Sequence, residues 1–174
     1  LYRADSVGSV KVEAARAALN ALNPDVAIVA VHQRLEDFSR LVSEADVVLD
    51  CTDNFAPRHA INRACVKQRR PLVSGAAIRF DAQLMVFDLS KPDAPCYACL
   101  FPEDAQVEEV QCSNMGVFAP LTGVVGAMQA MEALKLLAGI GAPSNFQVFD
   151  AKNAEWRSVR VKKDPACAVC SRDS

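Results

Sequence analysis

The sequence predicts an α/β protein with a doubly wound, Rossmann-like sheet that lacks its first βαβ unit and is followed by antiparallel strands. Three observations carry this. Helical and strand periodicities alternate through the first 90 residues, the pattern of an open sheet with helices on both faces. DVVLDC (46–51) is apolar on both faces, as parallel central strands are, and a helix pattern follows it at once. From about 145 onward the alternation becomes that of a hairpin, NFQVFDA (145–151) and then WRSVRVKK (156–163).

The elements follow in order. Residues 8–22 read as an amphipathic helix, with Val12, Ala15, Leu19 and Leu22 on one side and the NPD at 23–25 as its stop. AIVAVH (27–32) reads as a strand, and 36–44 as a short helix carrying Phe38, Leu41 and Val42. After DVVLDC comes a helix over about 55–68, with Pro57 in its first turn, where a missing N–H costs nothing. PLVSGAA (71–77) and QLMVFDL (83–89) are the third and fourth strands. Residues 90–119 are irregular and rich in proline and acid; a connection of that length is often functional. A long helix over 120–138 places Leu121, Val124, Val125, Met128, Met131, Leu134 and Leu137 on its apolar side, and Gly123, Gly126 and Ala127 leave room for a close helix or subunit contact. The organisation is one domain over 1–174: an α/β half at 1–90, a crossover loop at 91–119, and a long helix, hairpin and pinned tail at 120–174. Because the alternation starts on a helix, earlier strands of the sheet are expected to be missing.

Composition narrows the function classes. The net charge is −2, and KQRR (67–70), the densest basic cluster, reads as a solvated helix end, so nucleic-acid binding is not expected. The longest apolar stretch, residues 115–128, is interrupted by Pro120 and falls short of the roughly 20 residues a membrane span needs. Seven cysteines, an odd number, do not read as a disulfide scaffold. They fit a reducing, cytoplasmic compartment and a metal site.

Four of them form two pairs, Cys96-Tyr97-Ala98-Cys99 and Cys167-Ala168-Val169-Cys170. Two residues between cysteines let a knuckle turn present both thiolates to one tetrahedral ion, and two such pairs make a structural zinc site. A redox Cys-x-x-Cys is the competing reading, but Pro95 before the first pair and Pro102 after it do not suggest the helix such a motif opens. Zinc would pin the chain end to the crossover loop.

In open α/β sheets ligands sit beyond the carboxyl ends of strands. Asp53 and Asn54 stand at such an end, just before a helix, where they suit helix capping or ligand binding, and a carboxylate there suits Mg²⁺ held against a phosphate. Lys11 follows Gly8 at a helix start, a place for a phosphate partner or for an ordinary exposed lysine.

These stretches also resemble a known family. VGSVKVEAA (7–15), DCTDNFAPRHAIN (50–62), CYACLFPE (96–103), the segment from Cys112 through the long helix, and the terminal CAVC are similar, in that order, to the ThiF/MoeB/HesA family, bacterial relatives of ubiquitin-activating enzymes, with ThiF-like members favoured by CLFPE and FDAKNAEWRSVRV. The resemblance implies an adenylyltransferase that uses ATP and Mg²⁺ to activate the C-terminal glycine of a small ubiquitin-like sulfur carrier of the ThiS or MoaD type. Such enzymes serve thiamine or molybdopterin biosynthesis, with a separate sulfur donor protein and a homodimeric assembly. It assigns the ATP-site lysine to Lys11, the Mg²⁺-side pair to Asp53 and Asn54, the arginine of the same motif to Arg58, the zinc ligands to Cys96, Cys99, Cys167 and Cys170, and a carrier-linking cysteine to Cys112. The family's Gly-rich nucleotide loop has no counterpart, since the seven glycines form no Gly-x-Gly-x-x-Gly. The chain alone is therefore expected to bind ATP weakly and to be inactive, the activity belonging to a longer parent. Two other readings remain: a nicotinamide-dependent oxidoreductase, which the missing fingerprint disfavours, and a non-catalytic, zinc-stabilised dimerisation or docking module for a carrier.

Overall fold

A computed structural model describes residues 2–34, 38–104, 116–140 and 145–171. The chain divides into two compact units, Leu1–Leu35 and Glu36–Ser174.

In the first unit, a turn of 3-10 helix at Ala4–Ser6 is closed by Ser6, whose hydroxyl donates to the Arg3 carbonyl at 2.7 Å and accepts from the Arg3 N–H at 2.9 Å. Helix α1 (Lys11–Leu22) starts three residues later than the periodicity suggests and buries none of its residues. AIVAVH, expected as a strand, is not one: among the described residues nothing pairs with it, and Val29 is 84% exposed. Alternating apolar residues prepare a strand, but only a hydrogen-bonded neighbour makes one.

The second unit holds a five-stranded sheet in sequence order: β1 (Val48–Asp50), β2 (Leu72–Ile78), β3 (Asp81–Phe87), β4 (Asn145–Asp150) and β5 (Glu155–Arg160). Only β1 and β2 are parallel, joined through α3 (Phe55–Gln68); every later pairing is antiparallel. The hairpin expected at 145–163 is β4 and β5, in register from Asn145↔Arg160 to Asp150↔Glu155. DVVLDC reads as a central strand, yet β1 is the edge of the described sheet and Leu49 is 40% exposed. The short helix expected at 36–44 is α2 (Ser39–Ser43).

Successive residues of β2 and β3 serve opposite faces, as pleating requires. Leu72, Met85 and Phe87 join the main core with Ile61, Ala64 and Cys65 of α3, Tyr97 of the short α4 (Tyr97–Leu100), and Cys96, Cys167 and Cys170. Val73, Leu84 and Val86 pack on the other side with Met128 and Leu136 of α5 (Ala119–Leu137). The cysteine pairs thus belong to one core and the long helix to the other.

Helix α5 turns a different side inward from the one its apolar residues mark. Leu121 and Val125 are buried as expected, together with Gln129, Glu132 and Ala133, while Val124, Met131, Leu134 and Leu137 are exposed. Both polar residues are compensated: Gln129 donates to two strand carbonyls, and Glu132 pairs with Lys135 at 2.8 Å. At Gly75 the helix lies so close that an added Cβ would meet Gln129 at 2.4 Å, so only glycine fits this approach of β2 to α5.

Candidate functional site

The chain turns acidic where β1 ends, and the structure divides its two carboxylates sharply. Asp50 is 1% exposed, whereas Asp53, three residues on, is exposed. A buried carboxylate must be surrounded by donors. Asp50 Oδ1 accepts from the Thr52 N–H at 2.9 Å and the Thr52 hydroxyl at 2.7 Å, and Oδ2 accepts from the Ser74 hydroxyl on β2 at 2.9 Å. Arg58 Nε lies 4.0 Å from the same Oδ2, and Arg58 Nη2 donates to the Thr52 carbonyl at 2.6 Å. Gln129 closes the frame from α5, its Nε2 donating to the carbonyls of Asp50 at 2.9 Å and Val73 at 3.2 Å. Its Oε1 accepts from the Cys51 thiol at 3.5 Å, a contact that is partly buried although the residue as a whole is exposed, and that burial, followed by the charge of Asp50, pushes the thiol up from its ordinary range.

This frame holds the turn that carries Asp53 and Asn54 at the carboxyl end of a parallel strand. Asn54 is the N-cap residue of α3 in extended backbone, but its side chain makes no capping bond; its Nδ2 donates to Asp53 Oδ1 at 3.2 Å. Arg58, assigned to the reacting centre from sequence, lies one helical turn beyond, 9% exposed, with its guanidinium committed to the turn's carbonyl. The structure therefore sets Asp53 and Asn54 in contact on the turn, and Arg58 on the Thr52 carbonyl beside Asp50. Lys11 is the first residue of α1 in the other unit, where its ammonium stands 5.9 Å from the Tyr2 ring centre. Cys112 lies outside the described residues.

The second constellation is the cysteine cluster. The Sγ atoms of Cys96, Cys99, Cys167 and Cys170 all lie within 4.8 Å of one another. Cys96 to Cys167 is 3.7 Å, Cys96 to Cys99 4.0 Å and Cys99 to Cys170 3.4 Å. A tetrahedron with metal–sulfur bonds of about 2.3 Å has edges of about 3.8 Å, so the four sulfurs fit one zinc ion. The pairs meet because α4 starts on Cys96 at one side of the core and the tail after β5 returns to it. Four thiols this close do not ionise alike. Cys99 is pushed down to about 5, first by its hydrogen bond with Cys96, with N–H groups of Asp164 and Cys96 adding to the effect. Cys96 is pushed up by that same bond and by burial, and Cys170 is pushed up to about 12, by burial first. A cation among them is the ordinary way to let all four become thiolates.

Between the two constellations lies α3. Asn62, fully buried, accepts the Tyr97 N–H on Oδ1 at 2.9 Å and donates from Nδ2 to Cys96 Sγ at 3.6 Å. The Tyr97 ring is packed among His59, Phe87 and Phe101, with centroids 5.3, 6.3 and 5.0 Å away. Burial pushes the Tyr97 phenol up, and the Arg58 guanidinium pulls against that.

Sequence reading missed the supporting residues: Ser74, Thr52, Gln129 and Asn62. Gln129 had a signal, a polar residue set among apolar and small ones at 123–131 in the middle of the helix. Ser74 and Asn62 had none, because a buried hydroxyl or amide is not visible until its partner is placed.

With this geometry in hand, comparison with known proteins decides the family. The model of the ThiF family matches residues 1–169. The chain belongs to the ThiF family. Its relatives are adenylyltransferases. The molybdopterin-synthase adenylyltransferase of Escherichia coli (strain K12) is 44% identical over 179 residues, covering 99% of this chain and 70% of the relative. The sulfur carrier protein ThiS adenylyltransferase of the same organism is 42% identical over 174 residues, covering 98% and 68%. Among solved structures, E. coli MccB with ATP superposes with a TM-score of 0.77 at 19% identity, over 99% of this chain and 54% of MccB. This likeness shows the shared fold, and the ThiF-family chain spans about half the length of MccB. Among the described residues, no helix is long and apolar enough to cross a membrane.

Proposed function

We propose that this ThiF-family chain contributes one wall of the nucleotide site of a cytoplasmic adenylyltransferase. Its substrates are ATP and the C-terminal glycine of a ubiquitin-like sulfur carrier of the ThiS or MoaD type. The carboxylate of that glycine attacks the α-phosphorus of ATP, the bond to the β-phosphate oxygen breaks, and pyrophosphate leaves with the electron pair. The observation that supports this reading is the contrast at the end of β1: a buried Asp50 frame that holds an exposed Asp53 where α/β proteins bind ligands.

Asp53, with Asn54 beside it, would hold Mg²⁺, which neutralises phosphate charge when bound. Lys11 would meet phosphate. Arg58, bound to the Thr52 carbonyl, keeps the turn in shape and adds positive charge behind it. The four cysteines would hold zinc in a closed site with no position for water, so its part is structural. A separate donor protein would then supply the sulfur that displaces AMP from the activated glycine, and Cys112 would be the residue that links to the carrier.

The identities of 44% and 42% to the two E. coli enzymes lie too close together to favour molybdopterin or thiamine biosynthesis. The exposed side of α5, with Val124, Met131, Leu134 and Leu137 beside glycines that have open space around them, would serve a homodimer.

Pyrophosphate exchange into ATP, dependent on the carrier and assayed on the whole protein, tests the reading. Asp53→Ala is expected to abolish exchange while the fold is kept; persistence would make Asp53 an ordinary loop residue. A whole protein that binds the carrier yet shows no exchange would instead be the zinc-stabilised docking module.

A further inference from the structure

Helix α3 touches both constellations on one face. Arg58 and Asn62 are four residues apart, so they stand one above the other on the helix. Arg58 grips the turn that carries Asp53, through the Thr52 carbonyl. Asn62 grips the cysteine knuckle twice, at the Tyr97 N–H and at Cys96 Sγ. Among the described residues, it is the only side chain whose N–H is donated to a cluster sulfur; the other N–H groups on these sulfurs come from the backbone of Cys96 and Asp164. Such a donor has a definite chemistry. Four thiolates around a divalent ion leave a net charge of −2 in a buried place, and an N–H aimed at one sulfur stabilises that charge and fixes the ligand's direction.

We propose that Asn62 is a positioning residue that holds the metal-loaded knuckle against α3, so that the shape of the Asp50–Asn54 turn depends on the metal. With the knuckle in place, Asn62 is anchored at 0% exposure and α3 is set beside β1. Arg58, one turn earlier, then meets the Thr52 carbonyl and stands beside Asp50. Without the metal, nothing ties the four sulfurs to one centre, so the knuckle is free to open, Asn62 loses both partners, and the first turn of α3 loosens. The closed, structural ion thereby acts on the ligand-binding turn without touching a ligand. The inference rests on the zinc reading of the cluster but not on the adenylation chemistry.

Two measurements on the zinc-loaded 174-residue chain test it, and neither uses ATP. The first is hydrogen exchange of the amides from 50 to 58 before and after a chelator removes zinc. Exchange is expected to rise several-fold there, while β5, exposed along its whole length and outside the core that holds the cysteines, stays as it was. The second is zinc transfer to a chromophoric chelator from Asn62→Asp, which keeps an acceptor for the Tyr97 N–H and removes the donor to sulfur. Transfer is expected to be roughly 10–100-fold more favourable than in the wild type. Unchanged exchange at 50–58 on zinc removal overturns the proposal and needs no variant to fold. So does wild-type zinc retention in Asn62→Asp. A wild-type chain that takes up no zinc overturns the metal reading itself. An absence of pyrophosphate exchange in the whole protein overturns the adenylation reading and leaves this one standing.

Discussion

At the cysteine knuckle every sulfur faces another one, whereas at the end of β1 the carboxylate of Asp53 stands exposed. The four sulfurs lie 3.4–4.0 Å apart along the measured edges, and Cys96, Cys167 and Cys170 are buried. The strand end is built the other way. Asp50, Thr52, Ser74, Arg58 and Gln129 use their polar groups on one another, and Asp53 is left at the surface. The difference separates two kinds of site. A structural metal site is completed by its own chain and is closed to water. A binding site spends its buried polar groups on rigidity and keeps one charged group for a ligand.

The comparison breaks first at the knuckle. Cys167→Ser is expected to abolish stoichiometric zinc binding, measured by metal analysis after gel filtration. It should lower Tm by roughly 10 °C or more, because metal binding to such a site is folding free energy. Full zinc occupancy in that variant would mean the four sulfurs do not act as a set.

Next comes the support behind the strand end. Gly75→Ala would push a Cβ to 2.4 Å from Gln129 and 2.8 Å from Val125, and should cost about 1–3 kcal/mol by urea denaturation. Ser74→Ala removes one donor from buried Asp50 and should cost about 1–3 kcal/mol. A loss near zero at Ser74 would show that Asp50 is satisfied without it.

Asp53→Ala sharpens the contrast. An exposed residue of this kind should change stability by less than about 0.5 kcal/mol while exchange activity disappears. Equal losses of stability at Asp53 and Ser74 would erase the distinction between frame and ligand group.

The smallest effect concerns His59, beside the knuckle tyrosine. Burial, the largest influence, holds its pKa below the ordinary 6.5, with Glu103 raising it and Arg63 lowering it. The unfolded chain then takes up a proton more readily than the folded one, so this stabilisation is present above about pH 6.5 and is lost as pH falls through the folded value. Denaturation midpoints at pH 7 and pH 5.5 should differ less in His59→Asn than in the wild type, by a few tenths of a kcal/mol given the solvent screening nearby. A larger difference in the variant would reverse the sign.

How far each feature was legible depended on whether its signal was local. The boundaries of α3 follow from Asn54, Pro57 and the apolar spacing, all within one stretch, and the helix runs from Phe55 to Gln68 as read. The Cys-x-x-Cys spacing is local too, and pairing two pairs required only the chemistry of zinc. The strand at 27–32 failed because a ladder needs a neighbour that periodicity does not supply. The inward side of α5 was misjudged because Gln129 is buried by two carbonyls on other elements, which hydrophobic spacing does not register.

By itself, then, the sequence determined the order of the longer elements in the second unit, the four cysteines that cluster and, through its motifs, the family. These rest on spacing and residue type, which a linear chain carries in full. Only the tertiary structure decided that Asp50 is a buried keystone and Asp53 the exposed group, that Gln129 and Ser74 support the turn, and that Asn62 joins α3 to the knuckle. The reason is physical: a polar side chain takes its role from its partners, and here those partners lie 24 to 79 residues away along the chain.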